Sequence, residues 1–150
     1  MAERTKTKKP ILFTSRANDD EKVQRGTFEG FKSEGDSLRK RKEIKKAIEA
    51  YNIALEMKPG DKETLVSRAR CYLVEGNATK ALADADASLE EDKRFYKGLY
   101  EKAEALYFKR QFEQALIYYH RGHKIRPELE QFRLGIQKAN EALSNAISKS

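Results

Sequence analysis

The sequence is short of the residues that cross-link, break or stiffen a chain. It has one cysteine, Cys71, so no disulfide forms within it. That suits a reducing, intracellular setting and excludes a disulfide-stapled secreted fold. Tryptophan is absent, and three prolines and eight glycines are all that interrupt the 150 residues. Most of them fall between apolar-periodic segments, which argues for helices. No segment alternates apolar and polar residues with a period of two, so strands are not expected. No apolar run approaches the ~18 residues that a membrane span needs. The basic start is followed by Pro10-Ile11-Leu12-Phe13 alone, too short for the apolar centre of a signal peptide. The expectation is a soluble protein of the cytoplasm.

Charge is what the chain has in quantity. Charged residues make up 37% of it and the net charge is +7. The excess is concentrated in two places. Arg4, Lys6, Lys8 and Lys9 face one carboxylate, Glu3, in the first nine residues. Arg39, Lys40, Arg41, Lys42, Lys45 and Lys46 face only Glu43. Two basic clusters on an otherwise near-neutral chain fit an acidic partner, although runs of this kind also occur as solvated faces. Residues 1–26 lack helical periodicity and read as an extended or disordered basic arm, with one apolar contact point at residues 11–13.

From Phe28 the chain repeats. Residues 28–61, 62–95 and 96–129 align without a gap, a period of 34. Gly35, Ala69 and Ala103 share the eighth place, Ala47, Ala81 and Ala115 the twentieth, and Ala54, Ser88 and Gly122 the twenty-seventh. All are small, as required where two antiparallel helices approach closely. Phe31, Leu65 and Leu99 share the fourth place, and Leu38, Tyr72 and Leu106 the eleventh. Pro59 and Pro127 stop helices at the thirty-second place, where the middle unit has Lys93. Helices are expected at 28–41, 44–57, 62–75, 78–91, 96–109 and 112–125. A seventh, at 128–147, caps the array with Leu129, Phe132, Ile136, Ala139 and Leu143.

This pattern over residues 28–129 resembles the tetratricopeptide repeat, a helix–turn–helix unit of the same length. The resemblance implies an all-α fold: an α-solenoid of three helix pairs with a C-terminal capping helix, spanning 27–147. Two departures stand out. The seventh place, usually leucine, holds Glu34, Arg68 and Lys102, and the twenty-fourth place holds Ala85 in the middle unit. In such arrays the first helix of each pair lines a concave groove. The groove-facing places hold Glu29, Lys32, Asp36 and Arg39, then Glu63, Val66, Arg70 and Leu73, then Lys97, Tyr100, Glu104 and Tyr107. A peptide or helix with apolar and charged side chains fits that mixture. Tyr119 is expected inside the helix pair.

Three-repeat modules that grip chaperone C-termini use two lysines, two asparagines and an arginine. The matching places here hold Lys32, Asp36, Ser67, Lys97 and Glu101. Two carboxylates where donors belong would repel a terminal carboxylate, which argues against a co-chaperone.

Catalysis finds no residue set. His120 and His123 lie three apart on one helix with no cysteine near, and the nearest downstream carboxylate, Glu128, follows Pro127, so packing is the expected role and no metal site or cofactor is assigned. Cys71 has no histidine nearby and reads as a buried thiol. No glycine-rich phosphate loop is present, and the basic run lacks the interleaved aromatics of a nucleic-acid platform. The arm is too poor in apolar residues for a membrane surface helix.

Longer stretches are more specific. Residues 96–107, Tyr118-Tyr119-His120-Arg121-Gly122, residues 132–139 and Ala83-Asp84-Ala85-Asp86-Ala87-Ser88-Leu89 resemble the N-terminal region of the tetratricopeptide repeat subunit of the outer dynein arm docking complex of cilia and flagella. That resemblance implies a non-catalytic adaptor on axonemal doublet microtubules. Its implied partners are coiled-coil docking subunits, dynein chains and tubulin, with no small-molecule substrate. A peptide-binding scaffold of the cytosol is the alternative.

Overall fold

In a computed structural model the described residues are 26–148. The arm's basic residues Arg4, Lys6, Lys8 and Lys9 and its apolar cluster at 11–13 lie outside them. Seven helices follow one another: α1 (Phe28–Lys40), α2 (Ile44–Met57), α3 (Lys62–Val74), α4 (Ala78–Ser88), α5 (Tyr96–Phe108), α6 (Phe112–Ile125) and α7 (Glu130–Ser148). No strand occurs among the described residues.

Local chemistry sets where the helices start. The Thr27 hydroxyl accepts from the Gly30 N–H at 3.0 Å. The Asp61 carboxylate accepts from the Thr64 N–H at 3.0 Å, and Asn77 accepts from the Lys80 N–H at 3.1 Å. Each satisfies an amide that has no partner inside the helix.

The ends of α1, α3 and α5 share one device. The residue two places past each helix turns left-handed: Lys42 at φ 69°, Gly76 at 83° and Arg110 at 65°. The next amide then reaches back to cap a carbonyl, from Glu43 to Leu38 at 2.9 Å, Asn77 to Tyr72 at 2.8 Å and Gln111 to Leu106 at 2.9 Å. Glycine adopts this conformation freely, whereas a lysine or arginine there costs about 1 kcal/mol.

Helices neighbouring in sequence pack antiparallel, and α3 also touches α1 and α5, and α5 touches α7. Two layers result, with α1, α3, α5 and α7 in one and α2, α4 and α6 in the other. Between them lie Leu38, Ala47, Ile48, Tyr51 and Cys71 at one end, and Ala103, Leu106, Ala115, Tyr119 and Phe132 at the other. Glycine permits the closest approaches. A Cβ on Gly35 would fall on the Tyr51 ring, and one on Gly122 on the Phe132 ring.

Two boundaries differ from the sequence reading by more than one residue. Helix α4 ends at Ser88, three residues early. The Ser88 hydroxyl donates to the Ala85 carbonyl at 2.7 Å, and the Leu89 and Glu90 amides reach back only three residues, so the chain tightens and leaves the helix. Helix α7 begins at Glu130, because Pro127-Glu128-Leu129 is taken up by a turn closed from the Leu129 amide to the Arg126 carbonyl.

The seventh-place departures have structural partners. Arg68 forks onto Asp84, Nε to Oδ2 and Nη2 to Oδ1 both at 2.7 Å, and its Nη1 donates to Asn52 at 2.8 Å. One guanidinium thereby ties α3 to α4 and α2. Lys102 reaches Asp86 on α4 at 2.7 Å and lies over the Tyr118 ring.

Candidate functional site

The inner layer carries a ladder of side-chain pairs between successive helices. On α1, Asp36 accepts the Tyr51 hydroxyl at 2.5 Å while Arg39 Nε donates to the same oxygen at 3.2 Å. Between α3 and α5, Lys97 meets Glu63 at 3.1 Å and Arg70 meets Glu101 at 3.2 Å. Between α5, α6 and α7, Glu104 accepts from the Tyr119 hydroxyl at 2.5 Å and from Lys138 at 2.9 Å.

Water reaches these pairs unequally: Lys97 and Glu63 keep 41% and 42% of their side-chain surface in water, whereas Glu104 keeps 12%. Glu101 is 2% exposed, and loss of hydration pushes its carboxyl up to about 7 against the opposing pull of Arg70. The same desolvation raises Tyr51 to about 12, with Asp36 adding to it, and holds Tyr119 and Tyr100 above the ordinary phenol range. Cys71 is fully buried and its thiol is raised to about 11 by burial, which suits packing and not nucleophilic attack.

The groove residues named from the sequence divide. Lys32, Asp36 and Arg39 lie half-buried on α1, and Glu29 is exposed. Arg70 is paired with Glu101, Lys97 with Glu63, and Glu104 with Tyr119 and Lys138. Tyr100 lies edge-on to Phe132 with centroids 5.6 Å apart and tilts against Tyr119 at 6.1 Å. Tyr107 packs on Phe112 at 5.2 Å beneath the Lys138 ammonium. Leu73 is half-buried beside Ala69 and Ala105. Val66 is a correction: it is 2% exposed, in a cluster with Leu89, Phe95 and Leu99. Its place on α3 turns toward α5 and the loop that leads into it, so it packs in the interior.

The basic run divides as well. Arg39 turns inward to Tyr51 and is no free surface cation. Lys40, Arg41, Lys42, Lys45 and Lys46 are exposed. Glu43 takes Arg41 at 3.1 Å and Lys46 at 3.3 Å, and Lys45 reaches Glu75 on the next pair at 3.9 Å.

Lys138 was missed by sequence reasoning. The seventh helix reads as a cap from its apolar face, and nothing in its spacing signals that this lysine would reach back to Glu104. His120 is exposed, and the His123 ring is half-buried with a buried Nδ1 that finds no hydrogen-bond partner. Among the described residues no group of three or more His, Cys, Asp or Glu side chains is placed to hold a metal ion. None of the described helices is long and apolar enough to cross a membrane.

Stacked antiparallel pairs at a 34-residue interval match a solved structure, the Sgt2 TPR domain from Aspergillus fumigatus. The TM-score is 0.76 at 25% identity, over 81% of this chain and 82% of that one. The chain belongs to the tetratricopeptide repeat proteins. No family model matches it. Over 87% of its length this tetratricopeptide protein is 53% identical to outer dynein arm-docking complex subunit 4 of Danio rerio, and over 86% it is 47% identical to the same subunit of Xenopus laevis. The chain spans 27% and 24% of the length of those relatives.

The tetratricopeptide array can do what its geometry allows. Two of the five places that grip a terminal carboxylate in chaperone-binding modules hold lysines, and one of these, Lys97, is occupied by Glu63. Where an arginine is needed there is the buried Glu101, itself held by Arg70. The inner face carries ion pairs between neighbouring helices and half-buried tyrosines.

Proposed function

We propose that the chain is a non-catalytic adaptor that helps dock outer dynein arms on axonemal doublet microtubules. The observation that carries this reading is the 53% identity to a docking-complex subunit across 87% of the chain. The internally paired inner face supports it, because paired charges and tyrosines suit the side of a protein helix better than a free chain end. On this reading the partners are coiled-coil docking subunits and dynein chains, with tubulin a further acidic contact, and the place of action is the ciliary axoneme.

The test is localisation and loss. A tagged chain in ciliated cells should mark the axoneme along its length, and its removal should thin the outer row of arms in electron micrographs. A diffuse cytosolic signal with intact arms overturns the proposal. The co-chaperone alternative makes a separate demand, capture of chaperone C-terminal peptides, and the Glu101–Arg70 pair predicts that none are held.

A further inference from the structure

One edge of the array differs from the rest of its surface. It is formed by the turns within each helix pair: residues 40–46, 75–80 and 109–112. Side chains tie these turns into one continuous edge. Lys45 reaches Glu75, and Lys109 donates to Thr79 at 3.3 Å. The first turn contributes five cations against Glu43, and Lys80, Lys109 and Arg110 continue the sign. Lys45 is 90% exposed and Lys46 70%. The turns between pairs lie at the other edge, where charge is mixed: the acidic run 90–92 is followed at once by Lys93 and Arg94.

Two further observations mark this edge. Val74 and Phe108, at equivalent places 34 apart, end α3 and α5 there with 67% and 56% of their surface in water. The left-handed turn position holds glycine only in the middle pair, whereas the outer pairs place Lys42 and Arg110 in a conformation that glycine would adopt without strain. A strained residue that is also an exposed cation points to a use for its side chain.

We infer that this edge docks an acidic, amphipathic segment of a partner protein, its carboxylates on Lys40, Lys42, Lys45 and Arg110 and its apolar side chains on Val74 and Phe108. Nucleic acid fits less well. A phosphate backbone gains nothing from Val74, the Phe112 ring is already covered by Arg110 and Tyr107, and Glu43 and Glu75 interrupt the run of cations. The inference does not rest on the axonemal reading, since it concerns a surface and a chemistry and not a location.

The experiment uses the full 150-residue chain and fluorescence polarisation. The probes are a labelled glutamate-rich 20-residue helical peptide with leucines at three- and four-residue spacing, the same peptide with serine for leucine, and a 20-nucleotide single-stranded RNA. The double variant Lys42→Gly/Arg110→Gly separates docking from folding, because it relieves backbone strain while removing two edge cations. It should unfold at a higher temperature yet bind the leucine peptide about five- to tenfold more weakly at low salt. The pair Val74→Ser/Phe108→Ser should lose about as much and erase the preference for leucine over serine. Unchanged peptide affinity in the Lys42→Gly/Arg110→Gly chain overturns the inference. So does RNA bound as tightly as the peptide with no response to the Val74 and Phe108 changes.

Discussion

The outer two helix pairs are closed by a tyrosine and the middle pair by an arginine. Tyr51 and Tyr119 stand at equivalent places, each with no exposed surface and each with its hydroxyl on a carboxylate 2.5 Å away. Both rings fill space that a glycine leaves: Gly35 within the first pair, and Gly135 of α7 above the third. In the middle pair that place holds Ala85, and the Arg68–Asp84–Asn52 fork joins the helices. One backbone unit thus tolerates two kinds of closure. A ring contributes mainly through buried area, whereas an ion pair contributes through matched charge, and the two fail differently.

The sharpest way to break the comparison is Tyr119→Ala. It empties a fully enclosed site and unseats Gly135, so urea unfolding should show a loss of ~3–5 kcal/mol. A loss under ~1.5 kcal/mol would mean that α7 collapses into the space. Next comes Arg68→Ala, which strands Asp84 at 6% exposure without a partner. The expected loss is about 3 kcal/mol, reduced from the fully buried case because Arg68 keeps some contact with water. Replacing both partners by leucine should restore most of it. If the double variant is as weak as the single, the fork stabilises through Asn52 and not through Asp84.

A third measurement addresses the pair that joins the middle and last units. The folded carboxyl of Glu101 titrates near 7, above its ordinary value of 4.5, so the folded chain holds a proton there that the unfolded chain releases. Its contribution is complete below about 4.5 and is lost as pH rises through about 7. Relative to Glu101→Gln, the parent should lose up to about 3 kcal/mol between pH 4.5 and 7.5. Parallel stability curves for the two proteins across that window would refute the buried, partly protonated acid. The smallest effect is expected at the turns. Lys42→Gly copies the middle pair's Gly76 and should raise stability by ~0.5–1 kcal/mol in thermal unfolding; no gain would show that Lys42 is held by compensating contacts.

Helix placement was legible because it depends on local rules. Gly35, Ala69, Ala103, Ala47, Ala81 and Ala115 recur in phase and all are buried. The side chains of Asp61 and Asn77 cap two helix starts by an equally local rule. What escaped depends on pairing across space. Arg68 looked like an anomaly at a leucine place, and its partner lies 16 residues away on the facing helix. Lys138 and Glu104 are 34 residues apart and meet only once α7 has docked. Val66 had the right helical place for the groove but the wrong neighbours, since Leu89 and Phe95 close over it from the loop after the shortened α4. Charge at a given place says little about direction: Arg39 and Lys40 are adjacent in one basic run, yet one points at Tyr51 and the other at water.

The junctions between pairs are fitted individually. Where the second pair meets the third, the side chain is on Ser88 and the gap is at Gly98; where the third meets the seventh helix, the gap is at Gly122 and the bulk is Phe132. Bulk and gap have changed sides. Joining the seventh helix directly to the second pair would set Phe132 against Ser88, with no gap to receive it. The three units share a period, yet they are not interchangeable parts. Their order along the chain is enforced by shape, so a shuffled or internally duplicated version of this array would have to be recut at every seam.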